Sequence, residues 1–139
     1  MNIVDQLRRD EGEVLHAYAD HLGYLTIGVG RLVDKRRGGG ISAEESAMLL
    51  QNDLARIELA LDDKIPWWRG LNDARRGALM NMAFQMGAAG LLGFVATLKL
   101  VRLAQYDAAA TQMLKSKWAT QTPARAKRVA EQMRTGRWV

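Results

Sequence analysis

Residues 10–30 decide how this chain reads: Asp10-Glu11-Gly12, then Tyr18-Ala19-Asp20, then Gly23-Tyr24-Leu25-Thr26-Ile27-Gly28-Val29-Gly30. Ahead of the stretch, Ile3, Val4 and Leu7 form one apolar side of a short helix, with Asn2 placed to cap it. Gly12 stops it, because glycine accepts the backbone angles found just past a helix end. The pattern predicts a helix from about Ile3 to Asp10, with Glu11 at its C-terminal end. Val14–Ala19 and Tyr24–Val29 then read as strands around the turn Asp20-His21-Leu22-Gly23, and Arg31–Asp34 can add a third strand. Glu11 and Asp20 therefore stand nine residues apart on different elements. Cleaving a glycosidic bond takes two such carboxyl groups, one giving a proton and one handling the attack. The helix C-terminus carries partial negative charge, which favours the protonated form of Glu11 and suits a general acid. Asp20, in a polar turn open to water, should stay ionised, and contrasting surroundings are what divide acid from base. Taken alone, both residues also read as ordinary surface acids.

Past Gly30 the pattern changes. Lys35-Arg36-Arg37-Gly38-Gly39-Gly40 is a basic, glycine-rich loop, but it lacks the strand-loop-helix spacing that cradles phosphate and reads as a surface turn. Ser42-Ala43-Glu44-Glu45 is a capping box. From there Ala47, Leu50, Leu54, Ile57 and Leu61 repeat at helical spacing, predicting a helix of about 18 residues that ends before Pro66. The remainder reads as helical. One helix starts at Asn72 or Asp73 with Leu79, Met82, Ala83 and Met86 inward, and Gly87 and Gly90 break it. Others follow near Ala96–Ala104 and Asp107–Leu114. The last opens on Thr122-Pro123, turns Ala126, Val129, Ala130 and Met133 inward, and ends before Gly136.

The chain has 139 residues, is 48% apolar, and contains no cysteine. It reads as a single domain able to bury a core, with neither disulfides nor thiol chemistry. No signal peptide or membrane-spanning run is visible, so synthesis in a cytoplasm and no stable membrane insertion are expected. His16 and His21 have no cluster of acids or cysteines at metal-ligand spacing, so no metal and no cofactor are expected. Charge is uneven: residues 1–60 carry a net −3 and residues 61–139 a net +8. A basic half suits a polyanionic partner, or is simply a solvated helical surface. Nucleic acid would rest on charge alone, because the tryptophans are scattered and form no stacking platform.

Ordered matches along nearly the whole chain resemble the T-even phage lysozymes, an endolysin family that cuts peptidoglycan. They include Asn2-Ile3, Leu7-Arg8, Asp10-Glu11-Gly12, Tyr18, Asp20, Gly23-Tyr24 and Thr26-Ile27-Gly28. The central helix contributes Leu71, Asp73-Ala74-Arg75-Arg76, Asn81-Met82 and Phe84-Gln85-Met86-Gly87. The C-terminal part contributes Lys115-Ser116, Trp118, Gln121-Thr122-Pro123, Arg125 to Val129, Arg134-Thr135-Gly136 and Trp138. The resemblance implies an α+β, two-lobed, lysozyme-like fold. A three-stranded lobe at about 13–42 would join through a linking helix, about 43–61, to a helical lobe of 62–139 together with 1–12.

The resemblance also implies roles. Glu11 looks like the general acid, Asp20 the second carboxylate, and Thr26 the residue that helps place the attacking water. Unaided, Thr26 reads as a β-branched strand residue. Leu32, Phe84, Gln85, Thr97 and Gln112 match, or conservatively replace, cleft positions that touch the sugar chain, although Phe84 reads as core on spacing alone. Arg125 matches a supporting basic residue near the acid. The implied activity is that of a monomeric muramidase acting on peptidoglycan glycan strands. It would cut the β-1,4 bond between N-acetylmuramic acid and N-acetylglucosamine and reach the wall through a separate membrane-permeabilising protein. The alternative on the same scaffold is a non-catalytic, basic wall-binding or membrane-disrupting protein. The chain departs from the pattern where Lys35–Gly40 replaces a short helix, and where Arg31 stands in place of a histidine. That histidine pairs with an acid at the position of Asp53, so an Arg31–Asp53 salt bridge is expected.

Overall fold

A computed structural model of the chain describes residues 2–33 and 39–139. Seven α-helices and one three-stranded antiparallel sheet appear among them, which bears out the α+β class. The chain divides into two compact units, Met1–Leu49 and Leu50–Val139. Asp34 and the Lys35–Gly38 part of the basic loop lie outside the described residues.

In the first unit, helix α1 spans Ile3–Glu11, one residue longer than expected. Its start is a reciprocal cap: Asp5 N–H donates to the Asn2 side chain at 3.0 Å, and Asn2 N–H donates to the Asp5 carboxylate at 3.3 Å. Two of the helix's orphan donors are thereby satisfied. Its end is Gly12, at φ 76°, whose N–H donates to the Arg8 carbonyl. Val4 and Leu7, expected as an inward side, are exposed. Strands β1 (Val14–Ala19), β2 (Leu25–Gly28) and β3 (Arg31–Leu32) pair in that order. Tyr18 pairs with Thr26 and Val14 with Gly28, so β1 carries extra residues between those positions and is irregular there. Such bulges re-aim side chains near the ends of a strand.

Helix α2 spans Ala43–Lys64, beginning in the first unit and ending in the second. The capping box forms as read: Glu45 N–H donates to Ser42 Oγ and Ser42 N–H to Glu45 Oε1, both at 3.1 Å. The stripe expected along it is fully buried only at Leu61, and Ala47 and Leu50 are exposed. The core starts at that end, where a short 3-10 helix, Pro66–Gly70, turns the chain and sets the Trp68 ring inside. Trp68 Nε1–H is satisfied by Asp62, which also accepts from Arg69.

The second unit holds the main core. Helix α3 (Asp73–Leu92) buries Ala74, Ala78, Leu79, Met82, Ala83 and Leu91, and is interrupted at Gly87, whose φ of 81° is not helical. Helices α4 (Val95–Arg102), α5 (Tyr106–Leu114), α6 (Lys117–Gln121) and α7 (Pro123–Thr135) complete it. Ala109 and Ala110 of α5 and Ala126 and Ala130 of α7 are all buried, and small side chains let packed helices approach closely. The predicted α7 stripe of Ala126, Val129, Ala130 and Met133 is buried throughout. Side chains fasten the start of α3 to the end of α7: Gln132 Nε2 donates to the Ala74 carbonyl at 2.7 Å, and Arg75 donates to the Met133 and Arg134 carbonyls. Arg75 also stacks on Tyr106, 3.5 Å from the ring centre. The α7 carbonyls thus gain donors that the helix itself cannot supply.

Candidate active site

Glu11 is the last residue of α1 and is exposed. Its carboxylate lies directly over the turn between β2 and β3. A Cβ built on Gly30 would stand 2.7 Å from Glu11 Oε2 and 3.0 Å from its Cδ. Gly30 also has φ 63°, so both space and backbone demand glycine. The neighbouring acids are each taken up, Asp10 by Arg9 at 2.8 Å and Glu13 by Arg8 at 3.4 Å. Among the described residues the Glu11 side chain has neither an ion pair nor a hydrogen bond, which leaves the carboxyl group open to a ligand.

Asp20 begins the turn between β1 and β2. Its Oδ1 accepts from the N–H groups of Leu22 at 2.9 Å and Tyr24 at 2.8 Å, while its own N–H donates to the Tyr24 carbonyl. Aspartate is favoured here because its short side chain closes a turn on its own backbone. One carboxylate oxygen is spent on the turn, and the described residues supply no donor to Oδ2. Thr26, in the middle strand, is 3% exposed, and its Oγ1–H donates to the Tyr24 carbonyl at 3.1 Å. With its proton so directed, its lone pairs can accept from water. Tyr18, Thr26 and Leu32 are cross-strand partners and so share one face of the sheet. The first unit therefore brings Leu32 beside Thr26.

The other expected residues lie in the second unit. Thr97 and Gln112 line one cavity of about 390 Å³, together with Phe94, Trp118, Lys115 and Lys117. Gln85 is held beside it: its Oε1 accepts from Trp118 Nε1 at 2.8 Å and its Nε2 approaches Thr122 Oγ1 at 3.4 Å. Phe84 is 45% exposed while the adjacent Ala83 is buried, so the core reading of Phe84 fails. Arg125 is fixed by Asn81, whose side-chain oxygen accepts from Nε at 2.8 Å. Phe84 and Arg125 line a separate cavity with Leu54, Met80 and Trp138.

Arg31 and Asp53, expected as a salt bridge, each take another partner. Arg31 grips Glu45 with two parallel bonds, at 2.9 and 3.1 Å, and its Nε donates to the Gly40 carbonyl. Asp53 pairs instead with Arg56. Glu45 is in the first turn of α2, and Asp53 is eight residues, about 12 Å, farther along it. The Gly40 carbonyl and the Glu45 carboxylate together occupy the Arg31 guanidinium. Two features escaped the sequence reading. Gly30's close approach to Glu11 had no signal beyond the glycine itself. The engagement of Gln85 by Trp118 is a long-range contact with no local signature.

A small three-stranded antiparallel sheet beside helices is consistent with a lysozyme-like α+β fold. The chain belongs to the phage lysozyme family, whose model, described as "Phage lysozyme", matches residues 8–134. It is 32% identical over 161 aligned residues to "Probable T4-type lysozyme 1" of Dictyostelium discoideum, covering 97% of this chain and 95% of that protein. It is 36% identical to the "Endolysin" of Salmonella phage P22, over 88% of this chain and 85% of that one. It is also 34% identical to the "Pre-baseplate central spike protein Gp5" of Enterobacteria phage T4, where 98% of this chain matches 28% of the other.

Proposed function

We propose that this lysozyme is a muramidase that hydrolyses the β-1,4 bond between N-acetylmuramic acid and N-acetylglucosamine in bacterial peptidoglycan, with inversion. Glu11 protonates the leaving glycosidic oxygen. A water held by Asp20 and Thr26 attacks the anomeric carbon from the opposite face, and its proton passes to Asp20. Leu32, Phe84, Gln85, Thr97 and Gln112 contact the glycan, and Arg125 has a supporting role. The observation that carries this reading is the unpaired Glu11 carboxylate against Gly30, in the same compact unit as Asp20 and Thr26. The protein works as a monomer of one domain, lyses the cell, and reaches the wall after a separate protein permeabilises the membrane. No single described helix is long and apolar enough to cross a membrane.

The test is clearing of permeabilised bacteria by wild type and by Glu11→Gln. The amide cannot donate the proton, so activity should fall roughly a hundredfold to ten-thousandfold with the fold retained. Activity near wild type would remove Glu11 from the mechanism. Inversion needs about 6.5–9.5 Å between the two carboxyls, room for a water. NMR of the first product should show the α-anomer before mutarotation, and a β-anomer or a glycosyl adduct on Asp20 would mean retention.

A further inference from the structure

The groove between α5 and α7 shares no lining residue with either cavity described above. Each helix lines it at positions i, i+3, i+4 and i+7, counted from Asp107 on α5 and from Lys127 on α7. At 3.6 residues per turn, Gln112 stands roughly 150° round α5 from the middle of that face, and Arg125 roughly 170° round α7. The groove therefore opens on the far side of both helices from these two residues. Its floor is Ala110 and Ala130, 5% and 2% exposed. Larger side chains there would fill it. The alanines leave a volume of about 410 Å³, within the roughly 300–1,000 Å³ of small-molecule sites.

Charge is separated along the groove. Arg134 grips Glu131 with two bonds and is held in its charged form first by that acid and further by Asp107. Asp107 therefore lies at the Arg134 end, where two acids and one base leave a net −1. Lys127 is two helical turns away along α7, roughly 10 Å, and shares the other end with the exposed Leu114. Neither Asp107 nor Lys127 belongs to any ion pair among the described residues. Between the ends, Thr111 Oγ1–H donates to the Asp107 carbonyl at 3.1 Å, which leaves its lone pairs to accept from a ligand N–H. An acid at one end, a base at the other and a polar middle suit an extended peptide whose cation and anion are about 10 Å apart. A diamino acid's side-chain ammonium and the carboxylate of the next residue can open to that span, since each extended residue reaches about 3.5 Å and the side chain adds its own length.

We propose that this groove is a second binding site, for a peptide stem of the bacterial wall, with the ammonium of the stem's diamino acid at Asp107 and its terminal carboxylate at Lys127. The choice of a wall peptide rests on the muramidase reading, whereas the charge spacing stands without it. A stem held here leaves the faces that carry Gln112 and Arg125 clear. The site thus tethers the enzyme to its polymer without occupying the positions assigned to the glycan, and tethering raises the local concentration of strands.

The test is NMR titration of the full chain with four probes: the N-acetylated stem tetrapeptide L-alanyl-γ-D-glutamyl-L-lysyl-D-alanine, the same peptide with its lysine amine acetylated, the same peptide with its C-terminus amidated, and chitotriose. The free peptide should shift the Ala110, Thr111 and Ala130 amides. Each blocked form should bind roughly two- to fivefold more weakly, the scale of one exposed ion pair. Asp107→Asn should remove the penalty for acetylating the amine and keep the penalty for amidating the carboxyl, and Lys127→Met should do the reverse. Thr111→Trp, at an exposed position, should block the groove, with unchanged spectra elsewhere confirming the fold of each variant. Equal binding of the three peptides, shifts of the same amides by chitotriose, penalties that follow the wrong variant, or no shift at these amides would each overturn the proposal. Because the readout is binding, it stands apart from catalysis. Absence of hydrolysis with the groove shifts intact would sink the muramidase reading alone, and normal lysis without them would sink this site alone.

Discussion

At the scale of single residues, the proposed role of Glu11 turns on one close approach. Glu11 Oε2 would be 2.7 Å from a Cβ at Gly30, and Gly30 has φ 63°. Gly30→Ala therefore incurs two penalties. The left-handed backbone costs an alanine roughly 1–2 kcal/mol. The new methyl must also push the Glu11 carboxylate aside. We expect a modest fall in Tm and a larger fall in turnover, because a proton donor displaced by about an ångström loses much of its effect. Calorimetry and a lysis assay on the same preparation would separate the two. Normal turnover with a lowered Tm would mean that the carboxylate does not work from this position. The acids themselves were legible in the sequence because their signals are local: a glycine after a helix, an aspartate opening a turn. The contact between residues 11 and 30 was not, since a glycine's φ and its through-space neighbour leave no mark on a periodic pattern. Phe84 misled for a related reason, because helical spacing places it beside Ala83 without saying where the core face ends.

At the scale of elements, the starts of helices α1, α2 and α3 were readable because a side chain closes each. Asn2, Ser42 and Asn72 cap as expected, and Gly136 adopts φ 68° after α7. The 3-10 helix Pro66–Gly70 and the five-residue α6 were not readable, because each is too short to show an apolar stripe and is held by Trp68 or Trp118. The Arg31–Glu45 grip belongs to this scale, since it fastens β3 to the first turn of α2. The Ser42 N–H and then the Arg31 guanidinium hold the Glu45 carboxyl below the usual carboxylate range. A depressed folded-state value means that the contribution is fully present above the unfolded value, about 4.3. It is lost as pH falls through the lowered one. Glu45→Gln should flatten that acid-side loss for the amides of Arg31 and Gly40, followed by hydrogen exchange. Asp62 and Glu131 are lowered in the same direction by Arg69 and Arg134, so acid sensitivity elsewhere should persist. An unchanged acid profile at Arg31 would show that the grip adds nothing to local stability.

At the scale of the whole molecule, the charge gradient was plain from composition, and it makes a claim about rate rather than fold. Residues 61–139 carry a net +8, while peptidoglycan with its stems is acidic. Exposed charges steer encounter over distances that salt shortens, to about 8 Å near physiological ionic strength. Lysis of whole walls should therefore slow as salt rises from low values. Hydrolysis of a short, uncharged glycan should hold nearly constant over the same range, because its approach gains nothing from the field. The steering contribution should also appear in kcat/KM and not in kcat, since it acts before the substrate is bound. Lys127 and Arg128 are exposed on α7, and neither lines the Thr97 cavity or the cavity beside Arg125. Reversing both, Lys127→Glu and Arg128→Glu, should weaken the salt dependence on walls and leave turnover of the short glycan unchanged. Parallel salt curves for the two substrates would mean that the basic surface plays no part in reaching the wall.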